Sequence, residues 1–127
     1  MEGAPRWNYG LTAITGRIAM TDFVQVTTTA ARKDDAAKIA RTLVEKRLAA
    51  CAQVIGPIAS TYWWQGKIET AEEWLCLVKT RIDLGEEVEK AIKEIHPYEL
   101  PEIIATPIVG GSASCLDWLD RETRRGT

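Results

Sequence analysis

Residues 51–81 constrain the fold most. They form one long stretch of β-branched, aromatic and other apolar residues, running from Cys51-Ala52-Gln53-Val54-Ile55 to Trp74-Leu75-Cys76-Leu77-Val78. Two breaks interrupt it, Gly56-Pro57 and Gln65-Gly66-Lys67. The second suits a tight reversal, and proline in the first removes a ladder donor. The stretch therefore reads as a long β-hairpin whose first strand bends at Gly56-Pro57.

Amphipathic helices flank this hairpin on both sides. From Ala36 onward, Ile39, Ala40, Leu43, Val44 and Leu48 recur at one-, three- and four-residue spacings, with Lys38, Arg41, Glu45 and Lys46 between them. The spacing predicts a helix over 36–50, its mouth marked by Asp34 and Asp35, which the helix dipole favours. Leu84, Val88, Ala91, Ile92 and Ile95 make a second apolar stripe. Asp83 and Glu86 predict a capping box at its start, and Pro97 forces His96 out of helical geometry at its end. Extended segments at 23–29 and 102–106 stand outside the two helices. Ser114 is the expected cap of a short last helix containing Leu116, Trp118 and Leu119.

The order strand, helix, strand, strand, helix, strand defines an α+β, ferredoxin-like βαββαβ sandwich with a short C-terminal helix. Helices cover one side of its antiparallel sheet. Apolar residues on both sides of the strands imply that another subunit covers the other side. A chain of 127 residues, 46% hydrophobic and 27% charged, suits one globular domain. The expected division is an N-terminal extension over 1–20, a single domain over 21–122 and a frayed tail over 123–127.

Composition also excludes function classes. The formal charge is −2, so a generally basic nucleic-acid-coating surface is not expected. Trp63 and Trp64 have only Lys67 near them, too little basic character for a base-stacking platform. No apolar run reaches the length of a membrane span, and no secretory signal is visible. Three widely spaced cysteines, Cys51, Cys76 and Cys115, form no CxxC pair and suit a reducing, cytoplasmic setting. GxGxxG, Walker A, HExxH and GxSxG motifs are absent. An enzyme is not the first reading, and no organic cofactor is expected.

The residues that carry chemistry leave alternatives open. His96 is the single histidine, either a packed loop residue or a ligand. Cys51 is either a small buried hydrophobe or a thiolate that joins His96 as a soft copper site. Cys76 and Cys115 read as packing residues. Lys67, Glu73, Lys79 and Glu102 stand beside strands and either solvate strand ends or, as Glu73, Lys79 and Glu102 with His96 and Tyr98, form one shared polar pocket. With Lys79 and His96 such a pocket binds an anion; with its carboxylates and His96 it binds a cation. Adjacent Trp63 and Trp64 face opposite sides of a strand, either both in ordinary sheet packing or one toward its own chain and one toward a subunit contact.

Several segments together resemble the CutA family of divalent-cation-tolerance proteins, over residues 23–120. They are Val26-Thr27-Thr28, then Ala40-Arg41-Thr42-Leu43-Val44-Glu45-Lys46-Arg47-Leu48-Ala49-Ala50-Cys51, and Tyr62-Trp63-Trp64-Gln65-Gly66-Lys67-Ile68. Val78-Lys79-Thr80-Arg81, His96-Pro97-Tyr98-Glu99-Leu100-Pro101-Glu102-Ile103-Ile104 and Trp118-Leu119 follow in order. The resemblance implies a compact homotrimer similar to trimeric PII signalling proteins. It also implies tolerance of divalent metals, copper above all, without a defined reaction.

Carried onto this chain, the resemblance gathers Trp64, Lys67, Glu73, Lys79 and Tyr98 in a cleft between subunits. Cys51, His96 and Glu102 are the metal ligands it leads us to expect there. A PII-like module binding a small anion at that cleft, and a structural trimeric scaffold, are the alternatives. Ala30 stands where many relatives carry proline, and Cys115 where they often carry tyrosine.

The extension has no periodic apolar face, so deleting residues 1–20 should leave the melting temperature within a few degrees. Differential scanning calorimetry of the truncated and full chains checks this; a large drop would show that the extension packs on the domain.

Overall fold

A computed structural model describes residues 22–124. The extension expected over 1–20 lies outside the described residues, as do residues 125–127. Strand β1 (Phe23–Ala30) leads into helix α1 (Lys33–Glu45), then β2 (Cys51–Trp64) and β3 (Lys67–Arg81). A 3-10 turn (Ile82–Leu84) precedes α2 (Gly85–Ile95), and β4 (Ile104–Pro107) and α3 (Ala113–Glu122) complete the chain. The sheet order is β2-β3-β1-β4, with every neighbouring pair antiparallel. This is the ferredoxin-like α+β arrangement, in which each helix crosses over a strand inserted between the two it connects.

Alternation builds the core. Val24, Val26, Thr28 and Ala30 of β1 and Cys76, Val78 and Thr80 of β3 are buried under the helices. Ile39 and Leu43 of α1 and Val88 and Ile92 of α2 close over them. Each buried valine, leucine or isoleucine among them contributes about 1.5–3 kcal/mol through burial. The opposite side of the sheet carries Ile55 and Ile104, which are exposed, and the half-buried Leu75 and Leu77.

The hairpin is longer than the rest of the sheet. Trp74 is the last residue of β3 paired with β1, opposite Ala30. Beyond it, among the described residues, 58–64 and 67–73 pair only with each other. At its tip, Gln65 (φ 51°) and Gly66 (φ 81°) both take positive φ, as a two-residue type I′ turn demands.

Between the tip and the core, the predicted bend at Gly56-Pro57 is a shift of register. Ile55 pairs with Leu75, but Ile58 pairs with Glu73, so β2 spends one extra residue there. The shift inverts which β2 residues share a side with β3. Ile58, Ser60, Tyr62 and Trp64 lie opposite Glu73, Ala71, Glu69 and Lys67. Trp63 is thereby turned to the other side, where it is 71% exposed.

Several local details differ from the sequence reading. Helix α1 stops at Glu45 instead of near Ala50, because Arg47 adopts φ 61° and the amides of Leu48 and Ala49 return to the Leu43 carbonyl. Leu48 and Ala49 are buried all the same, which is why they extend the apparent helical stripe. Asp83 caps nothing: Arg81 takes its carboxylate with two hydrogen bonds, of 3.0 and 2.5 Å. Ser112, instead of Ser114, caps α3, its Oγ accepting from the Cys115 amide at 3.2 Å. Glu102 and Ile103 precede the last strand instead of opening it. The expected fraying does not reach Thr123 and Arg124. Thr123 Oγ1 donates to the Leu119 carbonyl, and the Arg124 amide donates to the Arg47 carbonyl.

A side chain at Gly56 would place its Cβ 2.5 Å from Cε3 of Trp74. Gly56→Ala should therefore cost about 1–3 kcal/mol by overpacking. The same substitution in a Trp74→Ala background should cost much less, since the clash is then gone. Urea unfolding of the four variants of this cycle measures both terms; equal costs in the two backgrounds would refute the contact.

Candidate functional site

The loop after α2 carries the first group of functional side chains. Pro97 ends the helix, and His96 leaves it with extended geometry. The imidazole then turns back under the sheet edge, 8% exposed. Its Nε2–H donates to the Thr29 carbonyl at 2.7 Å, and its Nδ1 accepts the Tyr98 amide at 3.0 Å. Both ring nitrogens thus serve the backbone, and the tautomer with hydrogen on Nε2 is set by those partners. The Tyr98 ring lies against the imidazole, with centroids 4.8 Å apart.

Tyr98 reaches from this loop to the hairpin. Its hydroxyl donates to Glu73 Oε2 at 2.6 Å. Burial pushes the phenol well above its usual pKa, and the hydrogen bond to Glu73 and the charges of Glu73, Tyr62 and Asp35 raise it further. Glu73 itself is 7% exposed and forms no ion pair with any cation among the described residues. A buried carboxylate whose hydrogen-bond partner is a neutral phenol is a site of uncompensated negative charge.

A groove of about 940 Å³ opens between the loop and the hairpin. Tyr62, Trp64, Glu69 and Glu73 line its hairpin wall, and Tyr98, Glu99, Leu100 and Glu102 its loop wall. Four glutamates face it, and no lysine, arginine or histidine among the described residues does. The register shift in β2 creates this wall, since Tyr62 and Trp64 share a side with Glu73 only after it.

Of the sequence-predicted residues, the structure brings together Trp64, Glu73, Tyr98 and Glu102 on the groove, with His96 behind it. Lys67 pairs with Trp64 at the hairpin tip and is not a lining residue. Lys79 and Cys51 are paired at the far end of the sheet, and the Lys79 ammonium is held by Gln53 Oε1 at 2.7 Å. Six residues of β3 separate Lys79 from Glu73, about 20 Å at strand rise. Within one protomer, Lys79 therefore does not share a pocket with Glu73 and Tyr98.

The same separation keeps Cys51 away from His96 and Glu102 within one protomer. Among the described residues, no three His, Cys, Asp or Glu side chains converge closely enough to hold a metal ion. One protomer does not by itself fit a closed metal centre. Cys76 is buried, which pushes its thiol up to about 11 and leaves it unreactive.

Tyr62, Glu69, Glu99 and Leu100 were not anticipated. Counting by twos from Ile58, beyond the Gly56-Pro57 break, finds Tyr62 on the Trp64 side; no comparable signal marks the loop residues.

A family model described as CutA1 divalent ion tolerance protein matches residues 24–122. The chain belongs to this family. It is 44% identical over 101 residues to the divalent-cation tolerance protein CutA of Archaeoglobus fulgidus, covering 80% of this chain and 96% of that one. It is 38% identical over 101 residues to the chloroplastic protein CutA 1 of Oryza sativa, covering 80% of this chain but 57% of the rice protein. The crystal structure of CutA1 from Oryza sativa superposes with a TM-score of 0.81 at 35% identity, covering 86% of this chain and all of that one. The divalent cation tolerance protein of Thermus thermophilus gives 0.78 at 39% identity, covering 80% and 99%. The CutA fold and membership of a family named for divalent-ion tolerance are therefore established for this chain. No helix among the described residues is long and apolar enough to cross a membrane.

The Tyr98 phenol should ionise well above the ordinary tyrosine range. Because the folded state holds the proton more tightly, its contribution to stability is complete below the ordinary tyrosine pKa of about 10 and is lost as pH rises above it. Absorbance titration near 295 nm should show one delayed transition that disappears in Tyr98→Phe. Three coincident transitions near pH 10 would contradict this.

Proposed function

We propose that this CutA protein is a homotrimer that binds copper or another divalent cation at subunit clefts, without catalytic turnover. The supporting observation is the sign of the groove. Four glutamates line it, Glu73 is buried without a counter-ion, and no basic side chain among the described residues faces it. That favours a cation over the small anion of a PII-like module, since an anion would meet repulsion from every ionised group on the walls.

Three features support assembly. Among the described residues the outer half of the hairpin has no third strand, and isolated two-stranded ribbons are marginal in water. Trp63 and Ile68 sit opposite one another on it, 71% and 63% exposed. Ile55 and Ile104 leave the open side of the sheet apolar. A trimer covers these surfaces, and it is also the way Cys51 of one copy approaches the groove of another. In this reading Glu102 supplies an oxygen, Cys51 a thiolate, and His96 ligates only by giving up one of its backbone hydrogen bonds. Such a trimer works in a reducing compartment such as the cytoplasm, where the unpaired cysteines stay thiols. It needs no nucleic-acid or membrane partner.

Light scattering should give about three times the 14.1 kDa chain mass. Titration with Cu(II) and Zn(II), followed by calorimetry, should show saturable binding that Glu102→Gln weakens and Cys51→Ala weakens for copper more than for zinc. A stable monomer at micromolar concentration would refute the assembly. Copper affinity unchanged in Glu102→Gln, Cys51→Ala and His96→Ala would refute the ligand set.

A further inference from the structure

The walls of the groove carry features that a bare ion does not use. Glu69 and Glu73 are four residues apart on one side of β3, about 13 Å at strand rise. No three carboxylates converge among the described residues. Tyr62 stands opposite Glu69 with Trp64 two residues nearer the tip, Ala71 and Ser60 lie between the two carboxylates, and Tyr98 and Leu100 belong to the loop wall. The volume, about 940 Å³, lies in the range of sites that enclose small organic molecules. Aromatic faces beside carboxylates recognise ammonium groups attached to carbon: the carboxylate takes the charge, the ring takes the N–CH₂ surface. A hydrated metal ion gains nothing from the rings.

We infer that this groove binds a linear organic polycation, an alkylamine with two or more ammonium groups joined by methylene chains. One ammonium lies at Glu73, where the buried carboxylate lacks a cation. A second lies toward Glu69, where Tyr62 stands across the ladder and Trp64 lies two residues nearer the tip, so the rings flank that ammonium while the methylenes between the two charges pass over Ala71 and Ser60. Tyr98 keeps its proton, so it engages Glu73 as a donor and adds no charge of its own. The inference rests on the cation reading of the groove, but not on metal binding. An amine ligand and a metal ligand can each succeed or fail alone.

Calorimetric titration of the full-length protein, in its native assembly and in 150 mM salt, tests it with spermidine as the probe. The expected result is saturable binding with one site per chain. The dicarboxylate succinate should not bind. Trp64→Ala should weaken spermidine at least tenfold, and Trp64→Phe should recover most of the loss, because a ring and not the indole NH is required. Glu73→Gln should weaken it similarly, while Tyr98→Phe, which frees Glu73 from its hydrogen bond, should bind at least as well as the parent. Circular dichroism confirms folding; if Glu73→Gln does not fold, the Trp64 pair decides.

Absence of saturable binding at millimolar spermidine would overturn the inference, as would affinity unchanged in Trp64→Ala. Loss of binding on moving from low salt to 150 mM would mean general attraction to an acidic surface, and would overturn it too. Spermidine binding with no Cu(II) or Zn(II) binding would support the amine site and refute the metal reading. The reverse would refute the amine site alone.

Discussion

The one-residue register shift at Gly56-Pro57 is the constraint on which the site depends. Trp74 lies across Gly56 so closely that a methyl group there would sit inside its ring contact distance. Only glycine lets β2 pass, and the strand resumes pairing one residue out of step. Side chains in a strand alternate strictly, so one extra residue exchanges the two sides for everything beyond it. Tyr62 and Trp64 move to the side of Glu73, and Trp63 moves away. A regular hairpin of the same composition would place Trp63 beside Glu73 and leave the groove without its aromatic wall.

The second wall is tied to the first through a short chain of hydrogen bonds. The Thr29 carbonyl holds His96, His96 holds the Tyr98 amide, and the Tyr98 hydroxyl holds Glu73. Each link joins a different element: β1, the end of α2, the loop and β3. His96 therefore acts here as a brace between backbone groups. Its burial and its two partners explain its place in the structure without any ligand. Glu73 is the end of the chain and the group left short of charge, which turns a structural brace into a source of negative potential at the groove floor.

Assembly bears on the same region. The strands that carry Tyr62, Trp64 and Glu69 lie in the part of the hairpin that no third strand among the described residues supports. Whatever covers that ribbon also rigidifies the groove. This couples the oligomeric state to ligand binding: a variant that loosens the contact at Trp63 and Ile68 changes the site without touching it.

The sequence by itself determined the order of elements, the two-sided apolar character of the sheet and the bend in the hairpin. These follow from periodicity and from glycine and proline, which act through each residue's own backbone and its near neighbours. It was also sufficient, through its assembled motifs, for the CutA family. It misplaced helix ends where buried residues such as Leu48 continue a stripe after the helix has stopped, because burial and helicity leave the same apolar mark. Asp83 resembled a cap, but Arg81 from the preceding strand competes for its carboxylate. Only the tertiary structure decided which charges share a site. Lys79 and Glu73 lie six residues apart on one strand and, as sequence neighbours, suggested one pocket; strand rise separates them by about 20 Å. Tyr98 and Glu73 are far apart in sequence and meet at 2.6 Å. Charge pairing depends on distances through space, and these arise from sheet register and loop closure, which no local pattern encodes.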